Sequence, residues 1–404
     1  MRSQDRKFDI IIIGAGVIGC SIARELSRFK VRVAVLEKES DVGWGASCRG
    51  SGVIHAGFNN QPGTLMARYC VKGNQSFHKI AEELNIPYKK IGKLVVAKKS
   101  NEIPALEKLK KQGKINGVEN LKIVGESEIR NMEPNLQGIA ALYSPETAIT
   151  SPFLYTIALA ENSLQNSVQF FLNTQVKKIT KNNKSQFYLL AHDNQFEASY
   201  IINCTGVCSD QIAGMAGIPH YRIYPCRGEY YVLDKNAASL MNHLIYPVPH
   251  PKEGGLGIHL TPTVDGNILI GPSNEYIEKQ EDYAVTMEVL RKLCLEAQQF
   301  LPAISPKYFI KNYAGIRSKQ TPPSQGGYHD YIIEESPEVP NMINLIGIES
   351  PGLTAAQPIA EKVVSIIDKK EKLVHNQDFD PYRKGILRFA EQDEETQRRL
   401  IQED

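Results

Sequence analysis

Long apolar runs are missing from this chain of 404 residues. No stretch approaches the ~20 uninterrupted apolar residues that a helix needs to cross a bilayer, so a soluble protein is expected, with peripheral membrane contact left open. The start, Met1-Arg2-Ser3-Gln4-Asp5-Arg6-Lys7, is polar, and the apolar run behind it is only a strand long before a glycine turn. Neither a secretory signal nor a membrane span is expected there. An excess of charge of one sign is absent too: the formal net charge is +2, which directs the molecule toward neither nucleic acid nor an acidic surface. Seven cysteines (Cys20, Cys48, Cys70, Cys204, Cys208, Cys226 and Cys294) form no Cys-x-x-Cys pair and no ligand cluster. They read as reduced thiols of a cytoplasmic protein, without disulfides and without a metal. Internal repeats and low-complexity blocks are lacking as well.

What the chain does have is concentrated between Asp9 and Glu37. Ile10, Ile11, Ile12 and Ile13 read as a buried strand, Gly14-Ala15-Gly16-Val17-Ile18-Gly19 as a glycine turn, Cys20 to Phe29 as a helix, and Val31 to Leu36 as a second strand. Gly14 permits the tight turn, Gly16 lets backbone amides approach a pyrophosphate, and Gly19 lets the helix sit close against the strand. The helix N-terminus offers N–H groups and a positive dipole end to phosphates, and Glu37 follows near the expected ~20 residues to accept hydrogen bonds from a ribose. Strand, turn, helix, strand and acid in this order predict a dinucleotide site, which the glycine pattern alone would not.

At ~150 residues per domain the length suggests two or three domains. Asp41 to Asn60 is rich in glycine, serine and alanine, as suits backbone lying against a ligand. Helices are predicted over Gly63 to Leu84, Ile103 to Gly113, Thr286 to Phe300 and Ala355 to Lys369, and another from Ser151-Pro152 to Asn166, with the serine as cap and the proline in the first turn. Strands are predicted over Gly92 to Ala97, Val168 to Leu172, Gln175 to Thr180, Phe187 to His192, Ser199 to Asn203, Tyr308 to Ile316 and Met342 to Ile348. From Tyr221 to Ile277 the alternation has period two, implying an antiparallel sheet with a hairpin at Asp265-Gly266-Asn267. The pattern is that of an α/β, Rossmann-like dinucleotide fold interrupted by an inserted antiparallel-sheet substrate domain. The expected parts are 1–90, 151–219 and 319–370 for cofactor binding, 91–150 and 220–318 for the substrate domain, and 371–404 as a charged tail.

Four stretches carry a resemblance: Asp9 to Glu37; Gly50-Ser51-Gly52-Val53-Ile54-His55-Ala56-Gly57; Ile202-Asn203-Cys204-Thr205-Gly206; and Leu345-Ile346-Gly347-Ile348-Glu349-Ser350-Pro351-Gly352-Leu353-Thr354. Together they resemble the D-amino-acid-oxidase-like superfamily of FAD-dependent oxidoreductases, with a glutathione-reductase-type cofactor domain. Within it the chain is most similar to the branch of glycerol-3-phosphate dehydrogenases and oxidases and L-2-hydroxyglutarate dehydrogenases. The resemblance implies FAD as cofactor. Gly14, Gly16, Val17, Ile18 and Gly19 would hold its pyrophosphate, and Glu37 and Lys38 its adenosine ribose. Ser47, Ser51, Gly52, Val53, Thr205 and Gly206 would add contacts, Val176 would lend backbone hydrogen bonds to adenine, and Gly347, Gly352, Leu353 and Thr354 would lie near the isoalloxazine.

The same resemblance makes His55 the catalytic base. Oxidation of a secondary alcohol removes the hydroxyl proton while a hydride leaves for flavin N5, and a base near neutral pKa suits that step. Arg317 matches the arginine that this branch uses near the substrate, and a guanidinium suits a carboxylate or phosphate. Lys319 adds charge if it turns inward. Arg227 either reaches substrate or braces the sheet through Glu229; His259 either faces substrate or packs; Ser350 either touches substrate or caps the helix. The expected reaction is oxidation of sn-glycerol 3-phosphate to dihydroxyacetone phosphate, with L-2-hydroxyglutarate as the alternative substrate and amine oxidation less favoured. A non-catalytic flavin-holding subunit is the alternative of another class. The expected partners are a small anionic hydroxy substrate and an electron acceptor, whether a quinone, a partner redox subunit or oxygen. Phe379-Asp380-Pro381-Tyr382-Arg383-Lys384-Gly385-Ile386-Leu387-Arg388-Phe389 resembles the connector to an iron-sulfur module, yet no cysteine follows Cys294. Glu391 to Asp404 reads as a solvated helix.

Overall fold

A computed structural model describes residues 6–183, 185–192, 194–249, 257–385, 389 and 392–403. The polar start Met1–Asp5 and the connector residues Ile386–Arg388 lie outside them.

The four consecutive isoleucines form the centre of the first sheet. Strand Lys7–Ile13 runs parallel to Asn194–Asn203 on one side and to Val33–Leu36 on the other, with Gln169–Phe171 beyond the latter. Side chains alternate across a strand, and both faces here are covered, which is why the run is uniformly apolar. Ile10 and Ile12 pack into a cluster with residues of helices Val17–Leu26, Leu65–Glu83, Pro152–Gln165 and Gly352–Glu371. Ile11 and Ile13 pack into the opposite cluster with Phe187, Leu189, Phe196 and Ile212. Asn194–Asn203 shares one edge between two partners: its first half pairs antiparallel with Phe187–Ala191, its last residues parallel with Met342–Ile346.

The second sheet has nine strands among the described residues. Its spine is Tyr224–Leu233, which pairs antiparallel along its length with Phe309–Lys319 and, on the other edge, with Ile268–Gly271 and Glu275–Tyr276. Beyond lie His259–Pro262, Leu244–Pro247, Lys93–Ala97, Ala140–Ser144 and Lys122–Gly125. The hairpin predicted at Asp265-Gly266-Asn267 joins His259–Pro262 to Ile268–Gly271, and Gly266 takes φ +89° there. Helix Met287–Gln298 covers one face through Leu290, Leu293 and Ala297. A small sheet of Val53–Ile54, Ala148–Thr150 and Tyr88–Lys90 also forms.

Several elements differ from the sequence expectation. The first helix starts at Val17, directly after Gly16, and ends at Leu26. The strand expected from Ser199 begins at Asn194, because those extra residues find a partner in Phe187–Ala191. Strands Lys122–Gly125, Ala140–Ser144 and Ile332–Glu335 and helix Glu126–Met132 were not expected. Each is short, and Ala140–Ser144 is apolar on both faces, which hides the period of two.

The stretch after helix Gly352–Glu371 is not a free charged tail throughout. Buried Arg24 donates from Nη2 to Glu83 Oε2 at 2.7 Å and to the Pro381 carbonyl at 2.9 Å, and from Nε to Asn162 Oδ1 at 2.8 Å. Asn166 Oδ1 accepts the amide of Asp380 at 2.8 Å, and Arg383 pairs with Glu161. Helix Glu394–Glu403 follows, and its described side chains are exposed or half-buried. Among the described residues no helix is long and apolar enough to cross a membrane.

Arg24→Ala strands the Glu83 carboxylate and frees the C-terminal segment. Removing one partner of a buried pair costs about 3–5 kcal/mol, so urea unfolding should show a loss of that order.

Candidate functional site

The two sheets enclose an elongated cleft of about 810 Å³. Gly14, Gly16, Val17 and Glu37 line one end of it; His55, Tyr246, His259 and Arg317 line the other.

Two glycine contacts set the first end. At φ +100° Gly14 turns so tightly that a Cβ would stand 2.7 Å from the Cys204 carbonyl oxygen, and a Cβ at Gly19 would stand 2.0 Å from the Gly14 carbonyl oxygen. The helix therefore lies directly on the strand, and its N-terminus opens into the cleft with no side-chain cap from Gly16. The amide of Val17 donates to Ser47 Oγ at 2.9 Å. Glu37 is fixed by the amides of Ala15 and Glu39, at 2.7 and 2.9 Å. A second helix N-terminus reaches the cleft at Gly352 and Leu353. Two helix starts facing one cleft, the first with its Val17 amide taken up by Ser47 and neither with a bond from its own N-cap side chain, suit an anionic, dinucleotide-sized ligand.

Ile18, Lys38, Ser51, Gly52, Val53, Thr205 and Gly206 also line the cleft. Gly19, Val176, Gly347 and Thr354 do not form its wall. Gly19 acts through packing, as described. Val176 is buried where its strand pairs with Ala191. Gly347 sits at φ +69°, with the Gln320 side chain where a Cβ would go. Thr354 Oγ1 accepts the His55 amide at 3.0 Å and donates to the Val53 carbonyl at 3.4 Å, tying the histidine loop to the long helix.

At the other end His55 Nε2 stands 3.4 Å from Ser350 Oγ. Burial, then the neighbouring Lys93 and His259, holds His55 well below the usual histidine value, so its imidazole is unprotonated at neutral pH. His259 stacks on Tyr246, with ring centroids 3.9 Å apart, and its Nδ1 lies 2.9 Å from the Gly257 carbonyl. That contact places the proton on Nδ1 and leaves Nε2 as an acceptor. Burial pushes His259 down to about 3.

Arg317 donates from Nη2 to the Ser273 carbonyl at 3.0 Å, and Nη1 is 3.8 Å from Cys226 Sγ. Gly228 makes room for it: a Cβ there would lie 2.6 Å from Nη2. Among the described residues no carboxylate pairs with this guanidinium.

Of the two further basic candidates, Arg227 takes the sheet-bracing alternative and Lys319 turns into the cleft. Arg227 does not line the cleft; it is buried at 3.4 Å from Glu229, 2.7 Å from Glu275 and 3.0 Å from Asp282, so three carboxylates compensate it and it braces the sheet. Lys319 does turn inward, but its ammonium lies 3.1 Å from Glu349 and 2.9 Å from the Gly327 carbonyl, so its charge is already paired. Sequence reasoning also missed Tyr230, Tyr246 and Tyr328 as cleft walls. It missed a roof as well. Between Glu275–Tyr276 and Met287–Gln298 the chain spans the cofactor end, with Glu281 paired to Lys38, Gln280 Nε2 on the Val207 carbonyl at 2.9 Å, and the Tyr283 ring 4.0 Å from the Arg49 guanidinium. Among the described residues no group of three or more His, Cys, Asp or Glu is placed to hold a metal ion.

The family model described as FAD dependent oxidoreductase, DAO, matches residues 9–366. A glycerol 3-phosphate dehydrogenase of Caloramator mitchellensis is 38% identical over 400 residues, 98% of this chain and 82% of the relative. A mitochondrial L-2-hydroxyglutarate dehydrogenase of Arabidopsis thaliana is 34% identical, covering 89% of this chain and 83% of its own. Among solved structures, a dithionite-reduced L-α-glycerophosphate oxidase of Mycoplasma pneumoniae with FAD bound superposes with a TM-score of 0.88 at 28% identity, over 95% of this chain and 100% of its own. FAD is thus the cofactor, and the glycine turn, the fixed Glu37 carboxylate and the paired helix starts fit it.

Two outcomes test this site. Gly14→Ala is strained and crowded at once, so the purified variant should lose its yellow flavin absorbance while the wild type keeps it. Between about 6.5 and about 3 an unfolded chain protonates His259 while the folded chain refuses the proton. Stability should therefore fall as pH drops through that window, by up to about 1.4 kcal/mol per pH unit, and unfolding curves of His259→Phe should show a flatter dependence.

Proposed function

We propose, for a chain that belongs to the DAO family of FAD-dependent oxidoreductases, that its cleft oxidises the secondary alcohol of sn-glycerol 3-phosphate to dihydroxyacetone phosphate. The observation that supports this reading is an unprotonated His55 at the same end of the cleft as a guanidinium, Arg317, that makes no ion pair with a described carboxylate.

Bound FAD supplies the acceptor for the hydride that leaves the carbinol carbon. The chain's own residues do the rest. Arg317 holds the anionic end of the substrate, where two parallel N–H donors match a phosphate or carboxylate. His55, oriented through its amide by Thr354, accepts the hydroxyl proton at Nε2, the nitrogen that faces Ser350 Oγ. His259 offers its own free Nε2 as an acceptor for a second substrate hydroxyl, and the rings of Tyr230 and Tyr246 narrow the space open to water. The electrons then pass to an acceptor, for which we propose a quinone, a partner redox subunit or oxygen.

Charge counting supports the phosphate ester over a dicarboxylate. Of the cations at the His55 end, Lys319 is paired with Glu349 and Lys93 is fully buried outside the cleft wall, which leaves Arg317 facing the cleft for a single anionic group. L-2-hydroxyglutarate carries two carboxylates, and its second would need the Lys319–Glu349 pair to open. It remains the second reading because a relative of that name is 34% identical across most of the chain.

Anaerobic mixing with each compound decides between them: sn-glycerol 3-phosphate should bleach the flavin and L-2-hydroxyglutarate should not. Bleaching by neither favours a flavin-holding subunit without substrate chemistry of its own. His55→Asn should keep FAD and lose roughly 10²–10⁴-fold in the rate of flavin reduction. Arg317→Met should lower kcat/KM by about 10–100-fold, the scale of a lost hydrogen bond to a charged group. For the wild type the acid limb of kcat/KM should fall below pH 6.5, since His55 stays unprotonated beneath that value.

A further inference from the structure

Lys93 is an amine with nowhere ordinary to go. It opens strand Lys93–Ala97, in register with Ser144 on one side and Leu244 on the other, and it is 0% exposed. Nζ sits 4.5 Å from the Phe58 ring centroid and 4.2 Å from that of Tyr246, and it donates to Asn59 Oδ1 at 3.2 Å. Among the described residues no carboxylate pairs with it. The titratable groups that face it are His55 from the loop that also carries Phe58 and Asn59, Cys70 from helix Leu65–Glu83, and Tyr246 and His259 from the two strands beyond. Cys70 offers no compensating charge, because burial pushes its thiol up to about 12. A buried lysine without an anion is expensive to keep, and two aromatic faces with one amide recover only part of its hydration.

Its location suggests what it does. Tyr246 carries His259 on one face, so the ammonium stacked over the same ring must occupy the other, and both groups are near enough to act on His55. We propose that Lys93 is a positioning residue of the alcohol-oxidising site: its amine takes up the proton of this end of the cleft in preference to either imidazole and thereby keeps His55 in the form that accepts one. Burial brings Lys93 down to about 7, above both histidines, so on acidification it protonates first. Once charged, it opposes a second positive charge beside it in a medium of low dielectric. The inference rests on the reading of His55 as the base, and it adds the group that holds that base ready.

The test uses FAD-loaded protein carrying ¹³C-labelled histidine rings, with the His55 signal identified by its loss in His55→Asn. Titrated from pH 8 downward, His55 in Lys93→Met should show a midpoint higher by about one pH unit or more than in the wild type, and Lys93→Arg should restore the low value. The acid limb of kcat/KM should move upward with it, while KM changes little. A midpoint unmoved in a Lys93→Met protein that retains its flavin and its melting temperature overturns the proposal. Should that variant fail to accumulate, Lys93→Gln carries the same readout. A shifted midpoint in a protein whose flavin neither substrate bleaches would overturn the proposed reaction and leave the role of Lys93 standing.

Discussion

The contact between the Gly14 carbonyl and the bare α-carbon of Gly19 determines where everything else in the cleft lies. Because nothing separates them, the first helix is pressed onto the first strand and its unsatisfied amides point into the space between the sheets. Ala15 and Glu39 then lock the Glu37 carboxylate at the end of the neighbouring strand, and Ser47 meets the helix start from the following loop. The long helix beginning at Gly352 repeats the arrangement farther along the cleft and, through Thr354, holds the loop that carries His55. Cofactor end and chemical end are thus joined by backbone geometry, through the helix start at Gly352 and the Thr354 link to the His55 loop.

Charge is distributed unevenly along this frame. Most buried cations have an anion: Arg24 has Glu83, Arg227 has three carboxylates, and Lys319 has Glu349. Buried Lys93 and half-buried Arg317 form no ion pair among the described residues, and both stand at the His55 end. Desolvating a cation without a counter-ion costs stability, and two such groups in one corner support the proposal that an anion enters and a proton moves there. The imidazoles respond as expected, both held below the ordinary histidine value.

Much of this could be read from the amino acids in order. The unit from Asp9 to Glu37 declares itself because each part has a separate local cause: a buried strand, glycines that no other residue replaces, and a terminal acid. The hairpin at Gly266 and the cap at Ser151 were legible for the same reason, since turn and cap chemistry is local. Long-range pairing was not. That Arg227 would be enclosed by Glu275 and Asp282, or Lys319 by Glu349, depends on which strands become neighbours, and nothing near Arg227 or Lys319 announces it. Lys93 was hidden by its setting, because one lysine at the head of an apolar strand reads as a surface charge until Phe58 and Tyr246 are seen on either side. Short strands such as Ala140–Ser144, buried on both faces, give no periodic signal to detect.

The chain segment over the cofactor end has a further implication. Its hold is divided among Glu281 on Lys38, Gln280 on the Val207 carbonyl, Gln211 and Cys208, and Tyr283 on Arg49, contacts that reach separate parts of the opposite wall. None is strong alone, and together they carry this segment from the substrate sheet across to the cofactor-binding wall. The wall over the cofactor end therefore belongs to the same stretch of chain that builds the substrate sheet, so one piece of sequence serves both ends of the cleft.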